Sequence, residues 1–115
     1  MIIDELRAYG ADVDTAIKRC ANMESLFVKL VKKIPAMDEF DKLEQSINEG
    51  NLDEAFSYAH GLKGNVANLS LTPLEKPISE MTELLRERKE MDYSSYLSEI
   101  KENLQKLKDI LSKAV

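Results

Sequence analysis

A single unbroken apolar stripe between residues 52 and 69 constrains this chain more than any other feature. Leu52, Ala55, Phe56, Ala59, Leu62, Val66 and Leu69 follow one another at spacings of 3, 1, 3, 3, 4 and 3. Such intervals return to one face of a helix and to neither face of a strand. The same period recurs in Met23, Leu26, Phe27, Leu30, Val31 and Ile34, in Phe40, Leu43 and Ile47, and in Ile78, Met81, Leu84 and Leu85. It returns in Tyr93, Tyr96, Leu97, Ile100, Leu104, Leu107 and Leu111. Nowhere do β-branched and aromatic residues alternate with polar ones over a useful length, and no internal repeat is visible. Stripes of this kind must cover one another, so the chain is all-α.

Start and stop signals divide the helical pattern. Ile2 to Tyr9 is a short helix closed by Gly10, and a second runs from Val13 to Cys20 with Asp12 or Asp14 as its cap. Asn22 caps a third, which Pro35 ends. Asp38 opens a fourth that reaches Gly50. Asn51 with Glu54 three residues later resembles a capping box for the long stripe. Thr72-Pro73-Leu74-Glu75 is another start, with Thr72 as the cap, although Pro77 allows the helix to begin there instead. Asp92 caps the last helix. Short links between helices of roughly 12 to 20 residues favour antiparallel neighbours. The expected architecture is an up-and-down antiparallel four-helix bundle with a short N-terminal helical extension, in one domain over residues 1–115.

Composition narrows the function. With 16 Lys+Arg against 21 Asp+Glu the net charge is −5, which argues against nucleic acid or an anionic membrane as the main partner. One Cys and one His leave neither an internal disulfide nor a usual zinc site, so no metal is expected. No apolar run approaches the ~18 residues of a membrane span, and the N-terminus turns acidic at Asp4-Glu5 without a signal-peptide core. A cytoplasmic, monomeric protein is the resulting expectation, and Met1 with the early caps favours a stand-alone protein over an excised domain. The acidic and basic run Glu87-Arg88-Lys89-Glu90 reads as a solvated helix face, and Cys20 as buried packing.

The one histidine, His60, falls in the middle of the long stripe's helix but off its apolar side. At about 100° per residue it lies roughly 125° from the stripe's centre. Gly61 and Gly64 stand beside it, each costing a helix about 1 kcal/mol relative to Ala. Helical side chains lean toward the N-terminus, so a side chain at position 64 would cover the imidazole, and Gly64 leaves it open. Lys63 leans toward the same spot, and position 67 is again small, Ala67. An uncovered imidazole beside a cation suits an anionic reactant, and phosphate is the obvious one. The glycines could equally serve close helix packing, and a half-exposed His with a nearby Lys also arises by chance.

Ala59-His60-Gly61-Leu62-Lys63-Gly64 resembles the central Ala-His-x-Leu-Lys-Gly motif of the histidine-containing phosphotransfer (HPt) domain family, which sits on the second helix of a four-helix bundle. Helix count, length and motif position agree over most of the chain. The resemblance implies that His60 carries the phosphoryl group, Lys63 steadies its charge and Gly64 leaves it room. The family often has Gly ten residues after the His, where this chain has Ser70. It often places a polar side chain from the next helix near the imidazole, a part that Thr82 or Arg86 could take. It further implies a phosphorelay intermediate that moves phosphoryl groups between receiver aspartates, with response-regulator receivers or a hybrid sensor kinase as partners. Such a protein has no ATP site and no cofactor of its own, its Mg²⁺ being held by the receiver. Phe56, Ser57, Gly61, Asn65, Ala67 and Asn68 are the expected docking surface, with an apolar patch near Phe56 and Ala67. The competing reading is a non-catalytic helical interaction module in which His60 is incidental.

Overall fold

Seven α-helices and one 3₁₀ turn make up residues 2–113, which a computed structural model describes. Met1, Ala114 and Val115, at the ends of the expected 1–115 domain, lie outside the described residues. The helices are α1 (Ile2–Tyr9), α2 (Val13–Arg19), α3 (Glu24–Lys33), α4 (Glu39–Asn48), α5 (Leu52–Asn68), α6 (Thr72–Arg86) and α7 (Ser94–Lys113). No strand occurs among the described residues, and no helix among them is long and apolar enough to cross a membrane.

The apolar stripes become one core. Phe27, Leu43, Leu62, Leu74, Ile78, Met81, Leu85 and Leu107 are all closed to solvent and belong to a single cluster. Cys20 is buried in it, as expected. α4 packs on α5, α5 on α6 and α6 on α7, while α1 lies back against α7. Asp53 in the first turn of α5 accepts a 2.6 Å bond from Arg88, just beyond the end of α6. The end of α6 therefore lies beside the start of α5. α4 and α7 face each other across a cleft lined by Phe40, Leu43, Leu97, Ile100 and Leu104, bridged by the Lys101–Glu44 ion pair.

Local chemistry explains most helix ends and corrects several expectations. Asp12 is the cap of α2, its carboxylate accepting from the Thr15 hydroxyl at 2.8 Å and the Thr15 amide at 3.3 Å. Asn51 accepts from the Glu54 amide at 3.1 Å, and Asp92 from the Ser94 amide at 2.8 Å. Asn22 does not cap α3. Ala21 and Asn22 both take positive φ in ending α2, and Met23 occupies the cap position without a side-chain bond. Pro35 does not simply stop α3 either: its fixed φ suits the 3₁₀ turn Ile34–Ala36 that follows.

Thr72 is already inside α6, and Leu71 precedes it as the cap. The alternative start near Pro77 is not taken, because α6 runs unbroken from Thr72 to Arg86 with Pro77 buried inside. Pro77 lacks the N–H that Pro73 would otherwise accept, a local loss offset by burying Leu74, Pro77, Ile78 and Met81 on the same side. The fourth helix is shorter than expected, at 10 residues.

Candidate functional site

His60 is exposed at the middle of α5, between core residues Ala59 and Leu62 that hold the helix face in register. One turn earlier, the Phe56 ring lies against the imidazole, with centroids 5.7 Å apart and planes inclined by 40°. Phe56 in turn carries two guanidinium groups. The Cζ of Arg86 is 5.2 Å from its ring centre and that of Arg88 is 4.7 Å. A cation over a phenyl face is attracted by the ring's quadrupole. Phe56 is thus a half-buried shelf beneath two cations and beside the histidine.

The chain of contacts continues around the site. Arg86 donates from Nε to Glu83 at 3.2 Å. The other oxygen of Glu83 is 3.7 Å from Lys63 Nζ, which returns the path to α5 one turn after His60. His60, Phe56, Arg86, Glu83 and Lys63 are thus linked in an open chain of contacts that crosses from α5 to α6 and back. The hydrogen bond and charge of Arg86 are the main cause that holds the Glu83 carboxyl below the usual glutamate range, and Lys63 adds to it. Arg88 is fixed separately, donating to Asp53, to the Leu85 carbonyl and to the Arg86 carbonyl.

Gly61 and Gly64 do not serve helix packing. A Cβ built at either would meet nothing within 4 Å among the described residues. The surface at Gly64 is open. Beyond it a shallow polar hollow is lined by Gly64, Ala67, Asn68, Ser70, Arg19 and Thr15. Ser57, Asn65 and Asn68 are exposed on the same helix. The Asn65 side-chain amide donates back to the Gly61 carbonyl at 3.0 Å.

Two expectations about neighbouring residues change. Thr82 is fully buried, and its hydroxyl donates to the Ile78 carbonyl at 2.6 Å within its own helix. Its single proton and its surface are both unavailable to a group on the imidazole. Arg86 is exposed and lies over the Phe56 ring, so of that pair only Arg86 joins these contacts. The patch near Phe56 and Ala67 is also not a bare apolar one. Arginines overlie Phe56, and the Ala67 carbonyl is taken by Arg19 at 2.7 Å.

Sequence reasoning missed Glu83, Arg88 and Asp53. The spacing of Glu83 and Arg86 was a usable signal, since residues three apart on a helix are neighbours. The register of α6 was needed to aim them at α5, and Pro77 obscured it.

Ser70, standing where a glycine was expected, has φ +53 at the end of α5. That left-handed conformation is one glycine adopts freely. Its side chain is 3.4 Å from Arg19 Nη1. Arg19 also donates to the Ala67 and Asn68 carbonyls, so a cation occupies the negative end of the site helix.

Among the described residues no cluster of three or more His, Cys, Asp or Glu side chains is placed to hold a metal ion. A family model described as Hpt domain matches residues 34–110, from the 3₁₀ turn to near the end of α7. No curated protein and no solved structure matches the chain.

Proposed function

The chain belongs to the Hpt domain family, and from that premise we propose that it is a phosphorelay intermediate whose phosphoryl carrier is His60. Family membership implies phosphotransfer in two-component signalling and interaction with receiver domains. The observation that carries the assignment to His60 is its exposure against Phe56, with Lys63 three residues on, Arg86 over the same phenyl ring and the surface at Gly64 open.

In this reading α4–α7 form an up-and-down antiparallel four-helix bundle, with His60 on its second helix and α1–α3 as the N-terminal extension. An unprotonated ring nitrogen of His60 attacks the phosphorus of a receiver's aspartyl phosphate. The N–P bond forms as the acyl P–O bond breaks, and the aspartate carboxylate leaves with the electron pair. The other ring nitrogen keeps its proton. Transfer to a second receiver aspartate runs the same exchange in reverse. The chain's own task is positioning and charge. Phe56 fixes one side of the imidazole, Lys63 and Arg86 offer positive charge, and Gly64 leaves the approach clear. The receiver docks over Ser57, Gly61, Gly64, Asn65 and Asn68, in a small interface suited to transient encounters. We place this exchange in the cytoplasm and with a monomeric carrier.

The test is label transfer. A receiver domain phosphorylated on aspartate is expected to label the protein with acid-labile, base-stable phosphate. His60→Gln is expected to abolish the label while leaving helical circular dichroism unchanged. Label retained in that variant overturns the assignment and favours the interaction-module reading.

A further inference from the structure

We infer that Glu83 is a positioning residue that holds Lys63 and Arg86 away from full engagement with a phosphoryl group on His60, and so keeps that group easy to pass on. This deepens the phosphocarrier reading and rests on it.

Glu83 lies on α6, and its two carboxylate oxygens are divided between Lys63, three residues after His60 on α5, and Arg86, which lies over the Phe56 ring that touches His60. Lys63 Nζ is at 3.7 Å and Arg86 Nε at 3.2 Å. Neither cation is therefore a spare charge waiting for phosphate. A phosphoryl group on His60 brings about −1.5 to −2 charges to one end of this chain of contacts. It must share Lys63 and Arg86 with a carboxylate already paired to both, and it is repelled by that carboxylate. The repulsion exists only while the N–P bond exists, because unphosphorylated imidazole carries no negative charge. Glu83 thus favours the free histidine over the phosphorylated one and pushes the equilibrium toward the receiver's aspartate. Glu83 is 57% exposed, so water and salt screen the effect and keep it modest.

The experiment measures the equilibrium between phosphohistidine and aspartyl phosphate in a mixture of the 115-residue chain with a receiver domain that labels it. Glu83→Gln is expected to raise the phosphohistidine fraction ratio by about two- to fivefold at low salt. The gain should shrink toward unity as ionic strength rises, and Glu83→Asp should restore most of the wild-type ratio. Melting temperature should move little for either variant, so a structural role would not imitate this pattern. An unchanged ratio for Glu83→Gln at low salt, or a change insensitive to salt, overturns the inference while leaving the His60 assignment intact. Wild-type protein that takes no label on His60 overturns both.

Discussion

The ring of Phe56 lies 5.7 Å from that of His60, tilted by 40°, one helical turn ahead of it on α5. This spacing is what an i, i+4 pair on a helix gives, so the shelf beside the histidine is written into four consecutive steps of the chain. The same ring seats Arg86 and Arg88, which makes Phe56 the common contact of the imidazole and two cations.

Phe56→Ala should therefore slow phosphoryl acceptance by about tenfold, equivalent to about 1.4 kcal/mol of lost positioning. The imidazole would gain freedom and the arginines would lose their seat. Phe56→Leu, which keeps volume without a π face, should retain the fold and fall between. Single-turnover labelling from one phosphorylated receiver, compared across the three proteins, checks the order.

Gly64→Ala should separate stability from activity. Nothing among the described residues obstructs a Cβ there, so the variant should gain about 0.5–1 kcal/mol in denaturant unfolding. Phosphoryl acceptance should fall at least tenfold, because the new methyl stands where the incoming group passes. A variant that is stabilised and fully active would show that the opening at Gly64 is not used.

Ser70→Gly should stabilise by about 0.5–1 kcal/mol, since it relieves a left-handed backbone at φ +53. The long 3.4 Å contact from Arg19 is a small loss beside that. Chemical denaturation gives the sign directly, and destabilisation would mean that the serine hydroxyl matters more than the backbone.

Asp12 supplies the expected pH dependence. Two bonds from Thr15 hold its carboxyl below the ordinary aspartate value of 3.8. A depressed carboxylate stabilises the fold fully above its unfolded-state value, and that contribution disappears as pH falls through the folded-state value. The melting-temperature difference between wild type and Asp12→Ala should be constant near neutrality and close below about pH 4. A difference that persists at lower pH would assign the cap to something other than its charge.

Much of this molecule could be read from residue spacing alone. The long stripe of α5, the Asn51 cap and the off-core position of His60 depend only on neighbours within a few residues, and the structure shows each. What sequence spacing could not supply was anything that depended on two helices at once. Glu83 becomes part of the site only because α6 continues through Pro77 and lies along α5, and the isolated preference of proline points the other way. Burial of the whole α6 face overrides that preference. Thr82 failed for the same reason, since its inward orientation follows from that register. Asn22 was a reasonable cap by residue type, but the turn ending α2 needed its backbone elsewhere.

The family match begins at residue 34, yet the bonds that finish its structure come from before it. Tyr9 donates to the Asn103 carbonyl, the Asp12 amide to that of Ser70, and Arg19 to those of Ala67 and Asn68. Leu6 is sealed in the same core. The matched region is thus narrower than the set of residues that build this core, since side chains and bonds from the first 33 residues complete the helices that the match covers, the one bearing His60 among them.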